Sequence, residues 1–300
     1  MGGYFGGRLA QAGESVVFIA RGAHLEAIRR DGLRVDSIAG DFVVRPAEVA
    51  GEPAAVGNVD VAVLGVKAWQ VPEAALALRP MLRPDSVVLP LQNGVEAADQ
   101  LAAALGPERV LGGLCRIVSY GVAPGHVRHA GVAPRVELGE LDLRPSERVE
   151  RLRAAFEGCQ GVSVLTPADI RVALWEKFLF IAPFSGVGAV TRMPAGAMRA
   201  VSETREMLED AMREVFDLAR ARGVALQEGA VEGTMAFVDA LPADATASMQ
   251  RDILAGRASE LESQNGAVVR LAAAAGLCVP VNRFLYASLL PSERKARGAR

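Results

Sequence analysis

Short apolar runs, alternating with stretches of helical period, organise the first half of the chain. Val16-Val17-Phe18-Ile19-Ala20, closed by Arg21, is too short for a buried helix and rich in β-branched residues, so it reads as a buried strand. Val59 to Val66 and Ser86-Val87-Val88-Leu89-Pro90-Leu91 read the same way, and Val110 to Tyr120 is strand-rich. Between these runs Ala23–Arg30, Val71–Leu78 and Ala97–Leu105 carry helical spacing, while Leu33 to Val44 reads as a more exposed strand pair turning at Gly40. The opening MGGYFGGRLAQAG reads as the start of a helix that stops at Gly13. Strands alternating with helices predict a parallel sheet wrapped on both faces.

The pattern changes near Thr166-Pro167, a capping hydroxyl followed by proline at a first helical position. Ala168–Pro183, Glu203–Arg222, Glu228–Leu241, Ser248–Leu254 and Glu260–Ala275 then read as helix, and few candidate strands remain. The chain of 300 residues exceeds what one core usually organises. Residues 1–165 are therefore expected to form an α/β domain and residues 166–300 an all-helical one.

Composition narrows the function classes. Half the residues are hydrophobic but only 5% are aromatic, which leaves little to stack on nucleic acid bases. A net charge of −2 gives no electrostatic reason for a polyanionic partner. Cys115, Cys159 and Cys278 have no paired spacing, which argues against a disulfide framework or a zinc site and suits a reducing cytoplasm. His24, His126 and His129 lack metal-ligand spacing, so no metal is expected. No apolar run reads as a membrane span and no secretory signal opens the chain, so a cytoplasmic protein without a membrane partner is expected. Oligomeric state is not legible in the pattern; a homodimer is entertained. The charged run Glu293-Arg294-Lys295-Ala296-Arg297 reads as a solvated tail.

Candidate chemistry begins at the glycines. In a dinucleotide-binding unit a strand enters a glycine-rich turn and then a helix, so that backbone approaches a pyrophosphate at the helix N-terminus. Gly2, Gly3 and Gly6 precede a helix here, but they match only the tail of the G-x-G-x-x-G pattern, and no strand comes before them. A central strand plus the first glycines, roughly ten residues, is expected upstream of Met1. The residue ending the next strand selects the cofactor, an acid for the free ribose hydroxyl of NAD and a cation for the 2′-phosphate of NADP. That position holds Arg21, which favours NADP over the alternative of a solvated strand-end arginine. Lys67 and Asn93 follow later strands, where open α/β sheets bind ligands. Lys67 suits a cofactor phosphate or the adenine edge. By spacing alone, Asn93-Gly94 reads equally well as an ordinary turn.

Across almost its whole length the sequence resembles the ketopantoate reductase (2-dehydropantoate 2-reductase) family. The resemblance rests on GGYFGGRLAQAG, FIARGAHLEAIRRDGL, VKAWQV, LQNGVE, PGHVRHAG, LWEKF and SMQRDILAGRASELESQNG, in the family's order and spacing. It implies a Rossmann-type N-terminal domain that binds NADP, a helical C-terminal domain resembling that of 6-phosphogluconate dehydrogenase, and an active site in the cleft between them. The implied reaction is NADPH-dependent reduction of 2-dehydropantoate, a small 2-oxo acid, to pantoate in pantothenate biosynthesis. Carried over by motif, the catalytic lysine falls on Lys177 and its acidic partner on Glu260, with Glu262 as a decoy on another helix face. Ser248 corresponds to the serine that binds the substrate carboxylate, and Asn93 to the asparagine at cofactor and substrate; alone, Ser248 reads as a cap for Met249–Leu254. Hydride addition to a ketone leaves an alkoxide, so a cation such as Lys177 is needed to polarise the oxygen and supply a proton.

The resemblance departs at the substrate. Family members carry asparagines four and eight residues after the lysine, where this chain has Ile181 and Ser185. Ile181 cannot donate a hydrogen bond, and a site lacking a polar partner discriminates against the substrate that used it. A reductase of a different small 2-oxo acid is therefore one alternative, and a non-catalytic dinucleotide-binding protein of the same fold is another.

Overall fold

The structure is a computed structural model that describes residues 1–298. The chain divides into two compact units, one made of Met1–Gln92 with Ala97–Ile170, the other of Asn93–Glu96 with the described chain from Arg171 onward.

The first unit contains, in order, α1 (Gly2–Gln11), β1 (Val17–Ile19), α2 (Gly22–Asp31), β2 (Leu33–Ser37), β3 (Phe42–Val44), β4 (Glu48–Ala50), β5 (Val59–Leu64), α3 (Val71–Leu78), β6 (Leu82–Pro90), α4 (Ala97–Leu105), β7 (Gly112–Ala123), β8 (His126–Gly139), α5 (Glu147–Glu157) and β9 (Ser163–Leu165). β1 pairs parallel with β4, and β5 parallel with β6. The remaining strands form a five-stranded sheet in the order β3-β2-β8-β7, with β9 alongside β8; β2 and β9 run parallel to β8, and β3 and β7 run antiparallel to their neighbours. This is the Rossmann-like half of the fold; β7 falls where Val110 to Tyr120 reads as strand-rich, but the pattern did not reveal β8, which completes a long hairpin with it. Its strands are broken by bulges and carry exposed residues such as Tyr120 and Val132, so no clean period-two signal survives.

Tyr4, Phe5 and Leu9 drive one face of α1 into a core with Phe18, Leu33, Val35 and Phe156. Arg8 is 1% exposed among them because it is fully engaged: its guanidinium donates to Gln11 Oε1, Ser37 Oγ and the carbonyls of Ala39 and Gly40, and lies over the Phe42 ring. His129 likewise holds Ser37 Oγ at 2.8 Å and the Val132 carbonyl at 2.9 Å, a structural use. Among the described residues no strand precedes α1, and β1 and β5 face a shared cavity of about 1220 Å³.

The second unit is helical: α6 (Ile170–Thr191), α7 (Ala195–Ala200), α8 (Ser202–Ala221), α9 (Ala230–Ala240), α10 (Ser248–Leu254), α11 (Asn265–Ala274) and α12 (Pro280–Ala296). α6 does not end at Pro183, as the pattern predicts, but runs through it. Proline removes one hydrogen bond and crowds the preceding turn, at about 3 kcal/mol, but Ala182, Phe184 and Val187 are buried on either side of it, so packing outweighs the break. By length and composition α6 is apolar enough to cross a membrane, contrary to the reading of the sequence. Its most apolar stretch is 67% buried within the fold, which makes it the central helix of this unit's core.

The helix expected over Glu260–Ala275 begins only at Asn265, and residues 260–264 form a turn. The charged run at Glu293–Arg297 closes α12 rather than forming a tail; Arg294, Lys295 and Arg297 are exposed as expected, but Glu293 is 2% exposed.

Candidate active site

Three segments of the first unit bring the sequence-selected residues to the C-terminal ends of β1 and β5. Gly2 opens α1 against the backbone after β5: a Cβ on Gly65 would lie 2.5 Å from the Gly2 nitrogen and 2.6 Å from its Cα. No side chain fits at Gly65 without moving the start of α1, whose first N–H groups have no intrahelical acceptors. Gly3 has a second constraint, because a Cβ there would come within 3.2 Å of the Val127 side chain. Gly2, Gly3, Arg21, Gly65 and Glu73 all line the cavity shared by β1 and β5.

Arg21 caps α2 in extended backbone and its side chain is 71% exposed. Among the described residues its ion pair is to Glu73 at 4.0 Å; it joins two exposed groups and is worth at most about 1 kcal/mol, so the guanidinium is readily redirected. Glu73 is a functional candidate that sequence reasoning missed, since it lies in α3 and far from Arg21 in the chain. Lys67 precedes the short turn over Ala68–Gln70, with its Nζ 5.6 Å from the centre of the Trp69 ring. Gln70 Oε1 accepts from the Lys67 N–H at 3.1 Å, and buried Gln92 donates to the carbonyls of Leu64 and Val66 at 2.8 and 3.1 Å. The two glutamines fix the loop that presents Lys67. Neither stands out in the sequence, because a buried amide has no pattern of its own.

In the second unit the structure joins two of the selected residues directly. Asn93 Nδ2 donates to Glu260 Oε2 at 3.0 Å, and Glu260 is 4% exposed. Gly94 makes the approach feasible: its φ is +102°, and a Cβ would lie 2.8 Å from the Ser263 carbonyl oxygen. The Asn93-Gly94 turn is thus packed on the turn that carries Glu260. Glu262, expected to diverge as a helical neighbour, diverges because it belongs to the same turn. Its carboxylate accepts from the Tyr286 hydroxyl at 2.8 Å and from Arg270 at 3.2 Å, and Arg270 also reaches Glu96 at 2.8 Å. Burial, followed by this bond to Glu262, holds the Tyr286 hydroxyl above its ordinary pKa.

Lys177 is half-buried in α6. Ile181 and Ser185 follow at four-residue steps on the same face. Ile181 packs against the apolar core, and Ser185 is wholly buried, its hydroxyl without a hydrogen-bond partner. Ser248 is the half-buried first residue of α10, and Ala247 rather than Ser248 occupies the cap. The Ala247 N–H donates to buried Gln250 Oε1 at 3.3 Å, the half of a capping box that uses the side chain at the third helical position. The described residues contain no cluster of ligands that could hold a metal ion.

Comparison with known proteins identifies relatives over nearly the whole chain. A curated relative from Bacillus subtilis, an uncharacterized oxidoreductase, is 30% identical over 96% of this chain and 94% of its own length. The 2-dehydropantoate 2-reductase of Halobacterium salinarum is 33% identical over 95% of this chain and 93% of its own. The crystal structure of 2-dehydropantoate 2-reductase from Geobacter metallireducens superposes with a TM-score of 0.89 at 32% identity, covering 96% of this chain and 95% of that one. Residues 1–142 match the family Ketopantoate reductase PanE/ApbA, and residues 169–292 match its C-terminal counterpart. The chain is an oxidoreductase that belongs to the ketopantoate reductase family.

Proposed function

We propose that this protein reduces 2-dehydropantoate to pantoate with NADPH, using Lys177 as proton donor and Glu260 as its acidic partner. The observation that carries the reading is the hydrogen bond from Asn93 to Glu260, which unites two motifs 167 positions apart in the sequence. An amide that donates to one carboxylate oxygen fixes the plane of the whole group, a requirement for positioning a partner and of little use to a surface acid.

The residues of the first unit fit a dinucleotide. The approach of Gly2 to Gly65 leaves backbone exposed where a pyrophosphate needs close contact, and Arg21 and Lys67 supply cations beyond the ends of β1 and β5. Arg21, held only by a weak exposed pair, suits the 2′-phosphate of NADP. When bound, the nicotinamide supplies the hydride. Lys177 holds a proton at Nζ beside the substrate carbonyl, polarises the oxygen and passes the proton to it as negative charge develops. Glu260 orients that ammonium, Asn93 orients Glu260, and Ser185 and Ser248 offer hydroxyls to the substrate's polar groups.

Ile181 supports a second reading, in which the substrate is a less hydroxylated 2-oxo acid. It places an apolar side chain one turn from Lys177, packed on the core and unable to reorient as a donor. An apolar site that lacks a partner for a substrate hydroxyl discriminates against it by about 10²-fold. A panel of 2-oxo acids assayed by NADPH oxidation decides between them. The first reading expects 2-dehydropantoate to give the highest kcat/KM, and a higher value for an unhydroxylated analogue would transfer the assignment to the second.

A further inference from the structure

We propose that Glu293, at the far end of α12, is a positioning residue that sets the active-site carboxylate of Glu260 through the intervening Ser259. The proposal rests on the reading of Glu260 given above and adds a residue 33 positions further along the chain.

Ser259 is wholly buried, and each of its polar groups is engaged. Its N–H donates to both oxygens of Glu293, at 3.1 and 3.0 Å, and its hydroxyl donates to Glu293 Oε2 at 2.6 Å. Its carbonyl accepts from Arg297 at 2.8 Å, while Arg297 Nε donates to Glu293 Oε1 at 2.6 Å. The serine oxygen also accepts from the Leu261 N–H at 3.2 Å, so the clamp spans the peptide groups on both sides of Glu260. On its other flank the Glu260 carbonyl accepts from the N–H groups of Ser263 and Gln264, at 3.1 and 3.0 Å. The backbone of Glu260 is held from α12, and its side chain is held by Asn93.

The chemistry of the brace fits that task. Glu293 is an acceptor-only group buried to 2% exposure, a costly place for a carboxylate unless donors surround it. Ser259 and Arg297 provide those donors, and only an ionised carboxylate accepts from all of them at once. A helix would be the default continuation for Ser259-Glu260-Leu261-Glu262. The clamp instead draws this segment into a turn, and α11 starts later, at Asn265.

The test uses the full chain as Glu293→Gln, which keeps shape and removes charge, with Val215→Ala as a control destabilised in the apolar core away from the turn. Amide hydrogen exchange over residues 257–264 is compared with that over α8, and kcat is measured with NADPH and the best 2-oxo acid, well below the unfolding temperature. Glu293→Gln is expected to raise exchange at residues 259–261 by at least tenfold and to lower kcat on the order of 10–100-fold, as small misplacements of reacting groups do. The Val215→Ala control is expected to lose thermal stability while keeping kcat. A double-mutant cycle with Asn93→Ala should be strongly non-additive, since both changes act through one carboxylate. Unchanged exchange at 259–261 overturns the brace. Raised exchange with unchanged kcat, or strictly additive losses, overturns its role in positioning. If the wild-type chain reduces no 2-oxo acid, the functional reading fails, and the exchange experiment alone decides whether Glu293 holds Glu260.

Discussion

Gly186→Ala in α6 perturbs the helix that carries Lys177 without touching the lysine. A Cβ at this position would lie 2.8 Å from Asn265 Nδ2 and 2.9 Å from its Oδ1, against 3.4 Å where ordinary contact begins. Asn265 is wholly buried and cannot give way freely, because its Nδ2 donates to the Ala182 carbonyl at 3.2 Å and to Asn282 Oδ1 at 3.1 Å. Asn282 is tied in turn to the Ala211 carbonyl at 3.0 Å and to Glu214 at 2.7 Å. Displacing the Asn265 amide strands one or two buried partners at about 1–3 kcal/mol each. Alanine's better helix propensity offsets about 1 kcal/mol. With both partners stranded at about 2 kcal/mol each and about 1 kcal/mol regained, a net loss of about 3 kcal/mol is expected. The measurement is urea unfolding followed by fluorescence in a Trp69→Phe background, where buried Trp175 is the remaining tryptophan and reports on α6 itself. Removing the obstacle supplies a second criterion: Gly186→Ala/Asn265→Ala should be no less stable than Asn265→Ala alone. A single mutant within 0.5 kcal/mol of wild type, or a double mutant with fully additive losses, would refute the packing argument.

Asn93→Ala removes the hydrogen bond that orients Glu260 and should lower kcat/KM by roughly 10–100-fold; an unchanged kcat/KM would show that the orientation of Glu260 is unimportant. Arg21→Ala should raise KM for NADPH and leave KM for NADH nearly unaltered, whereas Glu73→Gln, by removing the competing acid, should lower KM for NADPH roughly two- to fivefold; an unaltered cofactor preference in Arg21→Ala would remove the 2′-phosphate assignment. In the first unit, Arg128 and Arg34 hold the Asp36 carboxyl down at about 2, from an ordinary 3.8. A depressed folded-state pKa gives stability that is present above the unfolded value and is lost as pH falls through about 2. Asp36→Asn should therefore flatten the decline in Tm between the two values, and parallel Tm–pH curves for mutant and wild type would contradict this.

Much of the fold was legible because its elements obey one period at a time. Val71–Leu78 and Ala97–Leu105 have the bounds that their apolar spacing indicates. Val110 to Tyr120 also marked β7, but its bulged hairpin partner β8 went unread, since exposed residues such as Val132 blur the alternation on which a strand reading relies. Pro183 misled in the opposite sense: local propensity marks a helix end, and burial on both sides overrides it. The site was legible to the extent that motifs identify residues. Arg21 could be placed from its position at a strand end, but Glu73, which competes for it, could not. Lys177 and Glu260 were chosen by resemblance. The means of holding Glu260 was hidden, because Glu293 sits in a charge-rich run that looks solvated and its partner Ser259 lies in another segment. Long-range polar contacts leave no period in the sequence.

The account depends most directly on the proton donor. Steady-state NADPH oxidation with 2-dehydropantoate, measured for wild type and Lys177→Ala alongside NADPH affinity, tests it. Wild type is expected to turn over, and Lys177→Ala to lose roughly 10²–10⁴-fold in kcat with NADPH binding little changed. A Lys177→Ala protein that keeps most of its turnover, or one whose loss lies equally in NADPH affinity, would contradict it.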